Sequence, residues 1–295
     1  MQLRWIASSR ASWAHAAVAI AAGAALADAS LTELLAPPVL RLTQWLADQS
    51  VPDRFWEHLP PLAAGIPRND ELAGVLLTKT VGRDRAEGLK KWLAAVLREV
   101  ELPWSQRFPE LTDELALRAQ PLQQQWDARG PGLMRLLGNL TEADLLVEAA
   151  DVILVQPVLG GAGEPQLSYN SVRIEAVLAD PIPELPELAR LAWLVAQLNL
   201  DLPVHQELLS DLPATNWTPA QVCRLAMLPA VLAAAEQVEL TRFDPATMRQ
   251  ALQSWCGCQD NLETVATNTS AWWETYRGAK PPIAVALRAL AEMLA

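Results

Sequence analysis

Signals for the start of a helix recur along this chain, and they constrain its fold more than any other feature. Residues 218–221 (TPAQ) combine a capping threonine, a first-turn proline and a glutamine that can bond back to the cap. Ser30 and Glu33 have the spacing of a capping box, and Asp244 precedes Pro245 as a helix start. Leucine and alanine lose little side-chain entropy on entering a helix. They are far more frequent in this chain than aromatic residues, which make up 6% of it. The sequence therefore predicts a mainly helical protein.

One stretch of the chain departs from the helical pattern. Residues 151–155 (DVILV) are a short apolar run with β-branched members, and residues 172–178 alternate apolar and polar side chains. Between them, residues 160–163 (GGAG) can supply the positive φ of a tight reversal. The pattern predicts a hairpin of these two strands, with a third strand at 166–169 and the polar residues on the face away from the core. The expected class is α+β: mainly α with a small β-hairpin or three-stranded sheet.

Residues 103–109 (PWSQRFP) mark the best candidate for a joint, since two prolines bound the segment. We expect an N-terminal helical part over residues 1–105 and an α+β core with C-terminal helices over residues 110–295, or one continuous domain over both. A second break is expected at residues 130–132 (GPG), where glycine and proline should end a helix sharply.

The charge balance narrows the range of partners. The chain has 23 basic and 34 acidic residues, for a formal charge of −11, and such a field repels phosphate backbones and anionic membrane surfaces. We expect no nucleic-acid partner. Membrane insertion is not expected either, because no run reaches the roughly 18 strongly apolar residues that a span needs.

Cysteine usage and the N-terminal residues bear on the compartment. Three cysteines do not form a disulfide framework, so reduced thiols in the cytoplasm are the simplest expectation. The alternative is export: Arg4 and Arg10 precede the apolar residues 16–26, and the small residues around Ala29 have the form of a cleavage site.

No complete catalytic constellation is present in the sequence. The three histidines lie far apart: His15, His58 and His205. Cys256 and Cys258 flank one glycine, but a tetrahedral zinc site needs four ligands, and only Cys223 and His205 remain to complete it. We expect no catalytic residues, no metal and no cofactor, while a redox or metal role for the Cys256–Cys258 pair stays open beside a structural one.

Residues 184–191 (ELPELARL) predict a helix directly after the strands, with leucines on one face. Strands followed by such a helix resemble the core of the zincin metallopeptidases, over residues 113–200. The helix of that family carries two histidines four residues apart and a glutamate after the first. Here that frame falls on Pro186, Glu187 and Arg190, so only the glutamate matches. The resemblance implies a zincin-like fold that has lost its zinc, with Glu187 and Arg190 lining a cleft. Helix capping by Pro186 and an ion pair of Glu187 with Arg190 explain the same residues without any family.

Two interpretations of function follow from these patterns. The first is a non-enzymatic globular protein that binds another protein or itself, with Trp272, Trp273 and Tyr276 as the expected interaction surface if they are exposed. The second is a degenerate or inactive zincin-like hydrolase fold. Ligand storage or sensing in an apolar pocket is a third interpretation that the sequence leaves open.

Overall fold

In the computed structural model, which describes residues 1–201, 217–259 and 261–295, a small mixed sheet lies between two layers of helices. The predicted α+β class is confirmed. The first part of the chain contains β1 (Gln2–Ala7), α1 (Ser9–Ala21), α2 (Ala29–Asp48), α3 (Arg54–Gly65), α4 (Asn69–Val81), α5 (Arg83–Arg107), α6 (Leu111–Arg118) and α7 (Gln120–Leu140). The remaining strands are β2 (Ala149–Val155), β3 (Gly163–Gln166) and β4 (Ser171–Glu175). The later helices are α8 (Glu187–Val195), α9 (Pro219–Gln237), α10 (Pro245–Ser254), α11 (Leu262–Ala279) and α12 (Ile283–Leu294). None of the helices within these described ranges is both long enough and apolar enough to cross a membrane.

The sheet has the strand order β1-β2-β4-β3. β1, β2 and β4 are parallel, and β3 is an antiparallel edge strand next to β4. The predicted hairpin of residues 151–155 with 172–178 is therefore wrong, because these two segments pair in parallel. The chain between them includes β3, which runs in the opposite direction and so brings β4 back parallel to β2. The antiparallel hairpin is formed by β3 and β4 instead.

Helices cover both faces of this sheet. On one face, Ala11 of α1 packs with Ile153 and Val155 of β2. On the other face, Leu194 of α8 lies close to Ile174 of β4. Parallel strands that are covered on both sides are buried on both sides. The prediction that the polar residues of the alternating strand face away from the core is wrong for this reason: Arg173 and Glu175 are 9% and 1% exposed.

The N-terminal residues belong to the same sheet as residues 149–175. Gln2–Ala7 pairs with residues 149–154 of β2, and Arg4 donates hydrogen bonds to the carboxylate of Asp151. α1 follows directly and lies largely in the core. The boundary expected at residues 105–110 therefore does not separate the sheet from the N-terminal part. The expected joint also starts too early, because α5 continues through Pro103 to Arg107 with Trp104 fully buried.

Local helix signals predicted the structure more accurately than the expected breaks did. Thr218 and Gln221 form the expected capping box at the start of α9, and Asp244 caps α10. The capping box expected from Ser30 and Glu33 is wrong, because α2 begins at Ala29 and its cap is Asp28, whose side chain accepts the N–H of Ser30. The helix break predicted at residues 130–132 is wrong, since α7 runs through it. Gly130 is buried there against the indole ring of Trp126, and this packing stabilises the helical path.

Candidate functional site at the carboxyl ends of the parallel strands

Glu175, the last residue of β4, anchors the loop that follows β2. Its carboxylate accepts four backbone N–H hydrogen bonds at 2.7–3.1 Å, from Val158, Leu159, Gly161 and Ala162. Hydrogen bonds to an ionised acceptor are the strong ones in proteins. The loop of residues 158–162 is therefore wrapped around a fixed negative charge.

His15 of α1 is the fifth donor to this carboxylate. Its Nε2 lies 2.8 Å from Oε1 of Glu175, and the imidazole is 3% exposed. Burial lowers the pKa of His15, and its hydrogen bond to Glu175 opposes this only in part. Burial raises the pKa of Glu175, but the bonds from His15 and the loop outweigh it, so this pKa lies below the ordinary value. At neutral pH a neutral imidazole donates to an ionised carboxylate.

Glu187 and Arg190 form the predicted i,i+3 ion pair on the first turns of α8. Nη2 of Arg190 is 3.1 Å from Oε1 of Glu187, and the two side chains are buried, with 4% and 6% of their surface exposed. Arg190 also donates a hydrogen bond to the carbonyl of Gly161, which joins α8 to the 158–162 loop. At the helix start, Asp180 accepts the backbone N–H of Glu187 at 2.8 Å.

The Glu187 carboxylate is unusual because neither of its oxygens accepts a hydrogen bond from the described residues. Burial raises the pKa of Glu187 to about 7, while Arg190 opposes the rise and the charges of Asp180 and Glu175 add to it. A carboxyl group with a pKa near neutrality in a cleft is a mark of functional sites, although structural ion pairs also produce it.

A cavity of about 90 Å³ lies beside this pair, and Glu187 is among the residues that line it. Its walls come from the α6–α7 junction between residues 118 and 125, from Leu154 of β2, from the segment 175–180 and from Glu187. Ligands of open sheets with parallel strands bind outside the carboxyl ends of the strands. This cavity has that location, because Leu154 and Glu175 are near the carboxyl ends of β2 and β4.

Comparisons with protein-family models, with curated proteins and with solved structures found no match. The chemistry of this site is therefore inferred from its own geometry.

The predicted aromatic surface has a different location and a different role. Trp272, Trp273 and Tyr276 are 3%, 0% and 4% exposed, so the expectation that they form an exposed interaction surface is corrected. Trp272 stacks on Tyr276 and donates its indole N–H to the carbonyl of Ala286 at 2.7 Å. The cluster packs α11 against α12, which removes the main sequence support for partner binding through these residues.

The three cysteines are free thiols. Cys256 and Cys258 line another cavity, of about 670 Å³, between the start of α11 and the chain end. Burial raises the pKa of Cys223 to about 12 and also raises the pKa of both thiols of the pair, which disfavours the reactive thiolate. Among residues 1–201, 217–259 and 261–295, no three His, Cys, Asp or Glu side chains are grouped so that they could hold a metal ion. His205 lies outside the described residues.

Sequence reasoning found Glu187 and Arg190 but missed His15, Glu175 and Asp180. His58, the second of the three histidines, lies away from this site, with its Nδ1 3.0 Å from the hydroxyl of Tyr169. The one sequence signal for Glu175 was its position in the second half of the alternating segment 172–178, which placed it near the end of the predicted strand.

Proposed function

We propose that this chain acts by binding, without catalysing a reaction, and that its core is a zincin-like scaffold that lacks the zinc-binding residues. The observation that carries the proposal is the position of Arg190. In the sequence frame of the proposed resemblance, Arg190 stands at the position of the second histidine. Its guanidinium is ion-paired with Glu187 and donates a hydrogen bond to the carbonyl of Gly161.

The chemistry of this frame disfavours a catalytic zinc. Three protein ligands hold such an ion, supplied by neutral imidazoles, thiolates or carboxylates. Pro186 has no donor atom in its side chain, and a cation at Arg190 repels a second cation. Glu187, which would be the general base of the family's motif, is instead ion-paired with Arg190.

With a catalytic zinc disfavoured, the cavity lined by Glu187 supports a binding role. It has the location where parallel strands place ligands, and Glu187 is among the residues that line it. Binding of another protein or of a second copy stays a prediction, but the cluster Trp272, Trp273 and Tyr276 no longer supports it.

Zinc content and peptidase activity together test this proposal. We expect the purified chain, dialysed against zinc and then freed of loose metal, to retain far less than one equivalent by elemental analysis. It should also leave a mixed set of fluorogenic peptides uncleaved. Stoichiometric zinc with chelator-sensitive cleavage would contradict the proposal.

A matched variant tests the resemblance itself. The double substitution Pro186→His with Arg190→His puts two histidines four residues apart around Glu187, the first at the N-cap of α8 and the second within the helix. If the frame is correctly aligned, this folded variant binds zinc at least tenfold more tightly than the parent chain. A variant that folds, judged by circular dichroism, and gains no zinc affinity would remove the zincin-like part of the proposal.

A further inference from the structure

Two free thiols lie next to each other in the loop between α10 and α11. Cys256 and Cys258 are separated by Gly257 alone, directly after the end of α10. The backbone of this loop curls back instead of running straight. Gly257 has φ of +68°, which glycine adopts without steric cost, and the N–H of Cys258 donates to the carbonyl of Leu252 at 3.1 Å.

This curled link places the two cysteines within reach of a disulfide bond. The Cα atoms of a disulfide are roughly 4.4–6.8 Å apart. Residues two positions apart have Cα atoms separated by at most about 7 Å, and a curled backbone shortens that separation. Cys256 and Cys258 can therefore be joined without moving any other part of the chain.

Both thiols are accessible through one cavity. Cys256 is partly exposed and Cys258 is 6% exposed, and both line the cavity of about 670 Å³ near the start of α11. Gln259 and Asn261 line the same cavity and are exposed, so it is open to solvent. Cys223 on α9 is the contrast, since it is 1% exposed. A reagent in solution therefore reaches the pair more readily than it reaches Cys223.

The wall of this cavity is polar, and none of the described residues that line it has a charged side chain. The lining includes four amide side chains: Gln221, Gln259, Asn261 and Asn268. An amide both donates and accepts hydrogen bonds, so it complements the peptide groups of a ligand. The volume lies in the range of ligand pockets, roughly 300–1,000 Å³. A small uncharged peptide matches both the size and the lining.

Burial has two consequences for the chemistry of the pair. It raises the pKa of both thiols, and at Cys256 the neighbouring Cys258 adds to the rise while Arg224 opposes it. Thiolates are scarce at neutral pH for this reason, so exchange with a disulfide is slow there. A thiol of high pKa is also a poor leaving group, so a disulfide between these two sulfurs is reopened slowly.

We propose that Cys256 and Cys258 are a reversible dithiol–disulfide pair, oxidised by a small peptide disulfide that binds in this cavity. One cysteine thiolate attacks a sulfur of the ligand's S–S bond, which forms a mixed disulfide and releases one ligand thiol. The other cysteine thiolate attacks the protein sulfur of that mixed disulfide, which closes the Cys256–Cys258 bond and releases the second ligand thiol. The two protons lost by the protein thiols go to the two ligand thiols.

Treatment of the reduced full chain with the disulfide of N-acetylcysteine methylamide tests the inference. At pH 8, mass spectrometry of the intact chain should show the loss of two hydrogen atoms. The peptide that carries Cys256 and Cys258 should account for this loss, and a thiol reductant should restore both thiols. Cys223→Ser is the matched control and should form the same disulfide.

Single substitutions separate the two steps of the exchange. At least one of Cys256→Ser and Cys258→Ser should stop at the mixed disulfide, because the thiolate that completes the exchange is missing. Circular dichroism shows whether each variant is folded. The inference would be overturned if the folded parent chain kept three free thiols, carried two mixed disulfides without closure, or joined Cys223 into the disulfide. It would also be overturned if both folded variants stayed unmodified.

A comparison of oxidants tests the part played by the cavity. Bis(2-hydroxyethyl) disulfide lacks peptide groups, and a free peptide of residues 254–259 (SWCGCQ) lacks the cavity. The folded chain should favour the peptide disulfide over bis(2-hydroxyethyl) disulfide, in its rate of ring closure, at least tenfold more than the free peptide does. Equal preference in the chain and the free peptide would overturn the inference. Failure here is distinct from failure of the proposed function, which the zinc and peptidase assays test without any disulfide.

Discussion

At the scale of single residues, Glu175 joins parts of the molecule that are distant in sequence. Its carboxylate connects β4, the 158–162 loop and, through His15, the helix α1. A neutral side chain cannot replace it, because five donors converge on two oxygens. An amide has one acceptor oxygen, and its NH₂ group would face other N–H donors.

We therefore expect Glu175→Gln to lower the free energy of unfolding by about 3 kcal/mol, because hydrogen bonds to a charged group are lost and buried N–H donors are left without an acceptor. Urea-induced unfolding followed by circular dichroism measures this change. Glu274→Gln, in an exposed ion pair with Arg277, is the control and should cost less than about 1 kcal/mol. Equal losses in the two variants would show that Glu175 does not anchor the loop.

The sequence could not reveal this arrangement at the residue scale. His15 and Glu175 are 160 positions apart, and their contact depends on α1 packing against the face of the sheet that carries Ile153 and Val155. Strand alternation put Glu175 on the same face as Arg173, but it carries no information on whether a helix covers that face. The Glu187–Arg190 pair was predictable because both residues lie on one helix turn.

At the scale of elements, the 158–162 loop depends on a glycine at position 161. Gly161 has φ of +113°, and a Cβ there would lie 2.5 Å from Cγ of Pro181. Its carbonyl also accepts the hydrogen bond from Arg190. The loop, Pro181 and α8 are therefore in close contact around Gly161.

We expect Gly161→Ala to destabilise the chain by about 3 kcal/mol, the sum of a positive-φ cost and an overpacking cost. Gly160→Ala is a matched control, since Gly160 also has positive φ, of +80°, but a Cβ added there would meet no atom within 4 Å. That variant should lose only about 1 kcal/mol. Thermal and urea unfolding of the two variants measure these losses of stability. A larger loss for Gly160→Ala than for Gly161→Ala would contradict this account of the loop.

A second glycine pair tests how α7 passes through residues 130–132. A Cβ on Gly130 would lie 2.4 Å from the ring of Trp126, whereas one on Gly132 would meet nothing within 4 Å. We expect Gly130→Ala to destabilise by about 1–3 kcal/mol and Gly132→Ala to stabilise by about 0.5–1 kcal/mol. Unfolding curves that show the same sign for both substitutions would contradict this account of the helix.

Elements were predictable where their signals are local. The capping residues of α9 and α10 lie next to the helices they start, so the sequence predicted both. The direction of β4 relative to β2 depends on where β3 pairs, which is a non-local choice. The continuity of α7 was not predictable from propensity, because burial of Gly130 against Trp126 offsets the poor helix propensity of glycine and proline.

At the scale of the whole molecule, the sheet unites the N-terminal and C-terminal helical layers. β1 comes from the first residues of the chain and pairs with β2, about 145 positions later. Removing residues 1–109 would expose the edge of β2 and one face of the sheet. The packing predicts one cooperative unit, whereas the proline-bounded joint suggested two parts.

We expect a fragment of residues 110–295 to unfold without a cooperative transition and to bind a hydrophobic dye, while the full chain unfolds in one transition. Tryptophan fluorescence and far-ultraviolet circular dichroism should coincide for the full chain. Adding the separate fragment 1–109 should restore cooperativity in part. A fragment 110–295 that folds cooperatively by itself would favour the two-part organisation.

The central claim is that Glu187 is a buried carboxyl group, ion-paired with Arg190, among the residues that line the cavity at the carboxyl ends of the parallel strands. The most direct measurement is the pH titration of its ¹³C carboxyl resonance, assigned with Glu187→Gln. Because burial raises the pKa of Glu187 to about 7, we expect a midpoint near that value. A midpoint near the ordinary value of about 4.3 would contradict the account.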